Sequence, residues 1–329
     1  MPFSIVIPLY NRPEEIDELL ASLCNQTCKE FEVIIVEDGS TRKSDVVAEK
    51  YRDQLDITYF DKANSGPGLS RNAGAARAKY DYLIFFDSDC IIPSHYVETV
   101  SRSLSENFVD AYGGPDAALP SFTTVQKAIN YTMTSFFTTG GIRGKVQSMD
   151  KFHPRSFNLG VSRDAFNTVG GYGAMRFGED IDFSLRLLKA GFRTALISDA
   201  YVYHKRRSTF KQFFKQVHNS GIARINLHLA HPGSLKMVHT LPALFVAFMT
   251  TMFLLSPLRP AILIIPAIYS LTIFADSLRL HKSPKVACYS IVAAWIQMLG
   301  YGTGFLSASW HRLIRKQGEF RAFDKKFYD

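Results

Sequence analysis

Two carboxylates separated by one small residue, Asp87-Ser88-Asp89, follow directly on the apolar run Tyr82-Leu83-Ile84-Phe85-Phe86. Oxygen ligands at this spacing suit a hard divalent cation, which can in turn carry phosphate. A second acidic pair, Glu179-Asp180, follows Gly178 and opens a stretch of helical periodicity. An acid there can remove a proton from an incoming hydroxyl, or simply complement a helix N-terminus. A third pair, Glu37-Asp38, precedes Gly39-Ser40; it can accept hydrogen bonds from a ligand or close a turn. Between Asn64 and Gly74 lie several glycines together with Arg71 and Asn72. The start of a helix there would favour an anion, although the spacing matches neither the dinucleotide nor the P-loop pattern.

The elements that must position these groups alternate. Residues 4–10 read as a short apolar strand, and Pro13-Glu14-Glu15 as a helix start. Residues 31–36 read as a second strand, with a helix following to about Tyr51. Residues 57–60 read as a third strand, with a helix from Leu69 to about Lys79, and residues 82–86 as a fourth strand. This alternation predicts an α/β fold with a mostly parallel, doubly wound sheet. The fourth run is apolar throughout, as in a strand buried on both faces. All four strand ends are polar, carrying Asn11-Arg12, Glu37-Asp38, Asp61 and Asp87-Asp89. In a parallel sheet they converge on one edge, where open α/β sheets bind ligands. Further along, a helix is expected from about Ser94 to Asn107, a strand over 109–112 and a helix over 123–137. Gly140 to Lys145 reads as a loop with two cations. A strand over 157–161 is followed by a helix capped by Ser162, and the helix from Gly178 ends at Gly191.

The 329 residues, 47% hydrophobic and 21% charged, allow one large domain with an appendage. From residue 231 onward there are 11 Lys+Arg against 4 Asp+Glu, and no acid stands between Asp199 and Asp276. Residues 237–258, 260–275 and 286–311 carry no charge when His is counted neutral. The first and third runs are long enough for a membrane crossing, and the second is marginal. Pro257, Pro260 and Pro266 interrupt the first two. Before them, Lys205, Arg206, Arg207, Lys211, Lys215 and Arg224 accompany Phe210, Phe213, Phe214 and Val217 at helical spacing. A basic amphipathic helix suits an anionic membrane surface. No reader module accompanies the charge, which argues against nucleic acid. Cys24, Cys28, Cys90 and Cys288 form no disulfide framework or zinc pattern. Met1 leads straight into a strand, so the N-terminal part is expected to stay cytoplasmic.

Six short segments occur in a family's order and spacing. They are Pro8-Leu9-Tyr10-Asn11-Arg12, Glu37-Asp38-Gly39-Ser40, residues 64–74, Asp87-Ser88-Asp89, Asn158-Leu159-Gly160 and Gly178-Glu179-Asp180. Over the first 230 residues the chain resembles an inverting glycosyltransferase of family 2, with the GT-A nucleotide-sugar-binding fold. The resemblance implies a nucleotide site formed by Pro8, Tyr10, Asn11, Arg12, Glu37, Asp38, Asn64, Gly66, Arg71, Asp87 and Ser88. The family's usual pair at 37–38 is Asp-Asp. The resemblance implies a Mn or Mg ion on Asp89, with Asp87 on ribose or metal and His204 near the metal. It places the sugars near Asn158, Gly160 and Glu179, the diphosphate near Arg206 and Arg207, and the catalytic base at Asp180. The expected layout is a catalytic domain over 1–204, basic interfacial helices over 205–235, membrane-spanning or re-entrant helices over 236–311 and a basic cytoplasmic tail over 312–329.

The membrane segments point to a lipid-linked glycan as acceptor at the cytoplasmic face of the cell membrane, with a UDP- or dTDP-sugar as donor. A polyprenyl-phosphate glycosyltransferase is the competing enzyme, but its anionic acceptor needs no base and Gly178-Glu179-Asp180 supplies one. A processive synthase would carry a Gln-x-x-Arg-Trp motif, which this chain lacks. A membrane scaffold on a degenerate transferase fold is the non-enzymatic alternative. Lys and Arg beyond residue 311 favour a cytoplasmic C-terminus, hence an even number of crossings, two, with one apolar segment re-entrant or interfacial.

Overall fold

The computed structural model describes residues 1–119, 121–139 and 153–319. It divides into two compact units. The first, from residues 1–119 and 153–205, contains β1 (Phe3–Leu9), α1 (Pro13–Cys24), β2 (Phe31–Asp38), α2 (Asp45–Glu49), β3 (Ile57–Lys62), α3 (Pro67–Ala75), β4 (Tyr82–Phe86), β5 (Cys90–Ile91), α4 (Tyr96–Glu106), β6 (Ala111–Gly113) and β7 (Asp116–Ala117). The chain then contributes α5 (Thr124–Thr134) and α6 (Phe136–Thr139) to the second unit. It returns to the first for β8 (Asn158–Ser162), α7 (Arg163–Thr168), α8 (Glu179–Lys189), β9 (Thr194–Leu196) and β10 (Val202–His204). The second unit is completed by α9 (Phe210–Ala230), α10 (Leu241–Leu255), α11 (Ile264–His281) and α12 (Pro284–Ser309).

The main sheet has seven strands in the order β3-β2-β1-β4-β8-β6-β9. Every pairing is parallel except those of β8, which runs antiparallel to β4 and β6. All seven residues of β1, all eight of β2 and all five of β4 are buried, as their apolar composition requires of strands covered on both faces. The register sets Leu9 opposite Glu37, and Glu37 opposite Asp61. The polar strand ends therefore stand level at one edge. Helix α3 approaches this sheet closely: a Cβ on Gly74 would lie 2.4 Å from Val6 Cγ1. A second, three-stranded sheet, β5-β10-β7, pairs His204 directly with Cys90.

Several local expectations shift. The helix after β2 spans only Asp45–Glu49 rather than reaching Tyr51, and hydrogen-bonded turns carry the chain on to Leu55. The strand expected over 109–112 begins at Ala111, because Asp110 instead takes the Arg193 amide on its side chain. Residues 121–139 belong with the helical unit rather than with the catalytic unit around them. The loop from Gly140 to Lys145 and the tail beyond residue 319 lie outside the described residues.

The apolar C-terminal segments also change rank. Among the described residues, 260–281 and 284–314 form the two helices long and apolar enough to cross a membrane, whereas α10 is a 15-residue helix. The second run gains length because Pro266 falls in the first turn of α11, where no intrahelical amide is lost. Helix α9 packs one face against α12. Phe213, Val217, Ile222 and Ile225 are buried in clusters with Ala293, Phe305 and Ala308 of α12.

Candidate active site

Asp89 follows β4 and is buried at its side chain to 8% exposure. Arg12 Nη1, at the β1 end, lies 2.8 Å from its Oδ2, and His204 Nε2 lies 3.1 Å from its Oδ1. The β5–β10 pairing delivers His204, and the Phe157 ring stacks on its imidazole at 4.9 Å. Asp89, Cys90 and His204 each place a ligand atom within 4.8 Å of the others. Burial pushes the Cys90 thiol well up, so it is a neutral S–H, 3.5 Å from the Phe157 carbonyl it donates to. A carboxylate and an imidazole beside a neutral thiol suit a divalent ion of the Mn class better than a thiophilic one.

Arg71 is almost fully buried and occupied. Its Nη2 donates to Asp87 at 2.6 Å, its Nη1 to Glu179 at 3.3 Å, and its guanidinium lies 5.3 Å from the Tyr172 ring centre. It thus ties the end of β4 to the start of α8. Arg71, expected in the nucleotide site, stands between these two acids and away from solvent. Burial first, and then the neighbouring charge of Asp180, raises the Glu179 pKa to about 7 against the opposing pull of Arg71. Asp180 is more open, at 19% side-chain exposure, and meets Arg155 Nη1 at 3.1 Å. Gly178 makes this geometry possible. Its φ of 83° is left-handed, which glycine adopts without strain, and it turns both acids onto the first turn of α8.

At the β2 end, the two acids hold the protein together. Glu37 accepts from Ser40 Oγ, from the Ser44 amide at 3.0 Å and from Tyr59 OH at 3.0 Å. Asp38 accepts from Lys62 Nζ, from the Ser65 amide at 2.9 Å and from the Gly66 amide at 2.7 Å. Both are fully buried. Asn64 Nδ2 donates to the Asp38 carbonyl at 2.8 Å, so the loop over 64–66 is fastened to β2. Asn11, at a φ of 53°, receives the Thr41 and Arg42 amides, each at 2.9 Å, on its Oδ1. Pro8 and Ser88 are buried and Tyr10 half-buried. These groups shape the edge. Glu37, expected in the nucleotide site, is enclosed by protein partners, and a ligand reaching Asp38 must displace Lys62.

Asn158 and Gly160, expected near the sugars, lie inside the sheet. Asn158 has no exposed surface: Tyr96 OH donates to its Oδ1 at 2.5 Å, and its Nδ2 donates to the Ala200 carbonyl at 2.8 Å. A Cβ on Gly160 would lie 1.9 Å from the Tyr112 ring. Both residues join β8 to its neighbours and touch no open space. Arg206, in the second unit, spends its guanidinium on Asn130 Oδ1 at 2.9 and 3.0 Å, and Arg207 also belongs to that unit. Four contributors escape the motifs: Lys62, Cys90, Arg155 and Tyr172. Lys62 alone had a signal, since its strand end is level with Asp38.

The sheet order, with one antiparallel strand inside a parallel sheet and acids at the ends of β2, β4 and the start of α8, defines a GT-A architecture. Residues 4–170 match the family described as Glycosyl transferase family 2. A Haemophilus influenzae protein described as an uncharacterized glycosyltransferase is 31% identical over 215 residues, covering 63% of this chain and 70% of the relative. The chain belongs to glycosyl transferase family 2. Among solved structures, the mannosyltransferase PcManGT from Pyrobaculum calidifontis, in complex with GDP-Man and Mn2+, superposes with a TM-score of 0.63 at 14% identity, covering 90% of this chain and 86% of that one. S. aureus TarS 1-349 in complex with UDP-GlcNAc superposes with a TM-score of 0.51 at 20% identity, covering 98% and 94%. At these identities the two structures speak for the fold.

Proposed function

We propose that the protein is a membrane-associated, inverting, metal-dependent glycosyltransferase. It moves a sugar from a UDP- or dTDP-sugar to a hydroxyl of a lipid-linked glycan at the cytoplasmic face of the cell membrane. The observation that carries this reading is the join made by Arg71. It holds Asp87, at the donor edge of the sheet, and Glu179, beside Asp180, in one network. The structural neighbours hold UDP-GlcNAc and GDP-Man, both nucleotide sugars, and the choice of UDP or dTDP follows the family resemblance alone.

Asp89 and His204 would hold a Mn or Mg ion, and that ion supplies charge neutralisation for the departing diphosphate. Arg12, already paired with Asp89, adds positive charge at the same edge. Asp180 accepts the proton of the acceptor hydroxyl as that oxygen attacks the sugar carbon. Arg155 orients its carboxylate until the acceptor arrives. Glu179, tied to Arg71, borders the sugar beside Asp180. The Ser65–Gly66 turn held by Asp38 forms the floor for the nucleoside.

The acid pair favours a hydroxyl acceptor over bare polyprenyl phosphate, which requires no base. The test is Asp180→Asn. Turnover is expected to fall by about 10²–10⁴, with nucleotide affinity measured by calorimetry unchanged. Full activity in this variant would remove Asp180 from the role. Absence of any nucleotide binding in wild type with Mn would revive the scaffold alternative.

A further inference from the structure

Within the second unit, α9 and α12 run side by side in the same direction. Phe210 meets Tyr289 with ring centres 5.8 Å apart. A Cβ on Gly300 would lie 2.6 Å from Val217, one on Gly304 2.1 Å from the His218 carbonyl oxygen, and one on Gly221 2.2 Å from the Tyr301 carbonyl oxygen. Ile222 and Ile225 then share a cluster with Phe305 and Ala308. The contacts advance together along both helices, and three glycines bring the two backbones close.

This pairing constrains how α12 can meet lipid. The 21 residues of α9 are about 31 Å long at a rise of about 1.5 Å each, close to the roughly 30 Å thickness of bilayer hydrocarbon. If α12 crossed the bilayer, α9 would cross beside it. Yet Lys211, Gln212 and Ser220 are exposed on α9, and Gln216 and Arg224 are half-buried on the same row of i, i+4 positions. Ionised and amide side chains facing hydrocarbon are costly and rare. Helix α5 repeats the constraint against the first half of α12. Ala128, Ile129 and Met133 pack with Ala293, while Gln126 and Lys127 stay half-buried.

The apolar surface lies elsewhere. Of 27 exposed large hydrophobic residues described, twelve fall between Leu241 and Leu271, among them Leu244 at 60%, Leu254 at 73%, Leu258 at 79% and Ile268 at 59% exposure. Exposed cations accompany this stretch, with Arg259 between α10 and α11 and Arg279, Lys282 and Lys285 around the α11–α12 turn. An apolar face edged by cations is complementary to an anionic leaflet.

We infer that the helical unit enters the membrane from one side only, with α10 and α11 immersed in a single leaflet, α9 facing water, and α12 not crossing. The inference rests on the membrane association proposed above and replaces two crossings with none. The test places Lys285→Cys and Gln317→Cys singly into the full-length chain carrying Cys24→Ser, Cys28→Ser and Cys288→Ser, with that parent chain as the labelling baseline. Intact cells expressing each variant are treated with a membrane-impermeant maleimide, before and after permeabilisation. Both positions are expected to stay unlabelled from outside and to label at least about tenfold more strongly after permeabilisation. Labelling of either position from outside overturns the inference, because a crossing α12 separates its two ends. Failure of either to label after permeabilisation also overturns it, since both ends should face water. Recovery of the full chain in the detergent-free soluble fraction would instead overturn the membrane association itself.

Discussion

Arg71 illustrates how a single buried side chain can tie two parts of a site together. It is 2% exposed and sits between Asp87 and Glu179. Removing one partner of such a buried group leaves an uncompensated charge, which costs about 3–5 kcal/mol. Glu179 carries the opposite kind of load. Its pKa is raised to about 7, so the folded protein holds a proton that the unfolded chain has already released. Its contribution is therefore most favourable below the unfolded carboxylate range and declines as pH rises from about 4.5 to about 7. Glu179→Gln should flatten the pH dependence of the melting temperature across that window. Thermal melts at pH 5 and pH 8 check this, and a wild-type-like slope in the variant would remove Glu179 as its source.

At the scale of elements, β8 is the strand that makes this sheet mixed. It is held by fully buried polar and glycine positions rather than by apolar bulk alone. Tyr96, Tyr112 and Asn158 form one hydrogen-bonded cluster, with the two hydroxyls 3.0 Å apart. Gly160 leaves room for the Tyr112 ring. Gly160→Ala overpacks this layer and should cost about 1–3 kcal/mol, read as a lowered melting temperature. The folded fraction should keep its donor KM, because Gly160 faces the Tyr112 ring. An unchanged melting temperature with a raised KM would restore the sugar-contact role. Helix α8 behaves differently: its start is set by the left-handed Gly178, and its acids sit where a helix N-terminus favours them.

At the scale of the whole molecule, the chain joins a nucleotide-sugar-type sheet to a helical unit whose exposed surface is strongly apolar over residues 241–271. If that surface is what meets lipid, charging it should release the protein while leaving the sheet unit intact. Leu254→Glu combined with Leu258→Glu is expected to move most of the chain from the membrane pellet to the supernatant, with nucleotide binding retained. A variant that stays in the pellet after alkaline washing would place the membrane contact elsewhere.

The sequence by itself determined the strands β1 to β4, the edge where their polar ends meet, and the acids at 87, 89, 179 and 180. Each follows from local information: apolar runs buried on both faces, turn residues after them, and a glycine before a helix. Tertiary structure alone decided which polar groups face open space and which are spent inside. Asn158, Glu37, Arg71 and Arg206 each bond partners that periodicity does not name. The same holds for His204, brought to Asp89 by strand pairing, and for α12, whose long uncharged sequence does not show that α9 packs along it. A polar side chain in the sequence has only a capacity to bond. The fold assigns the partner, because residues far apart in the chain compete for the same atoms.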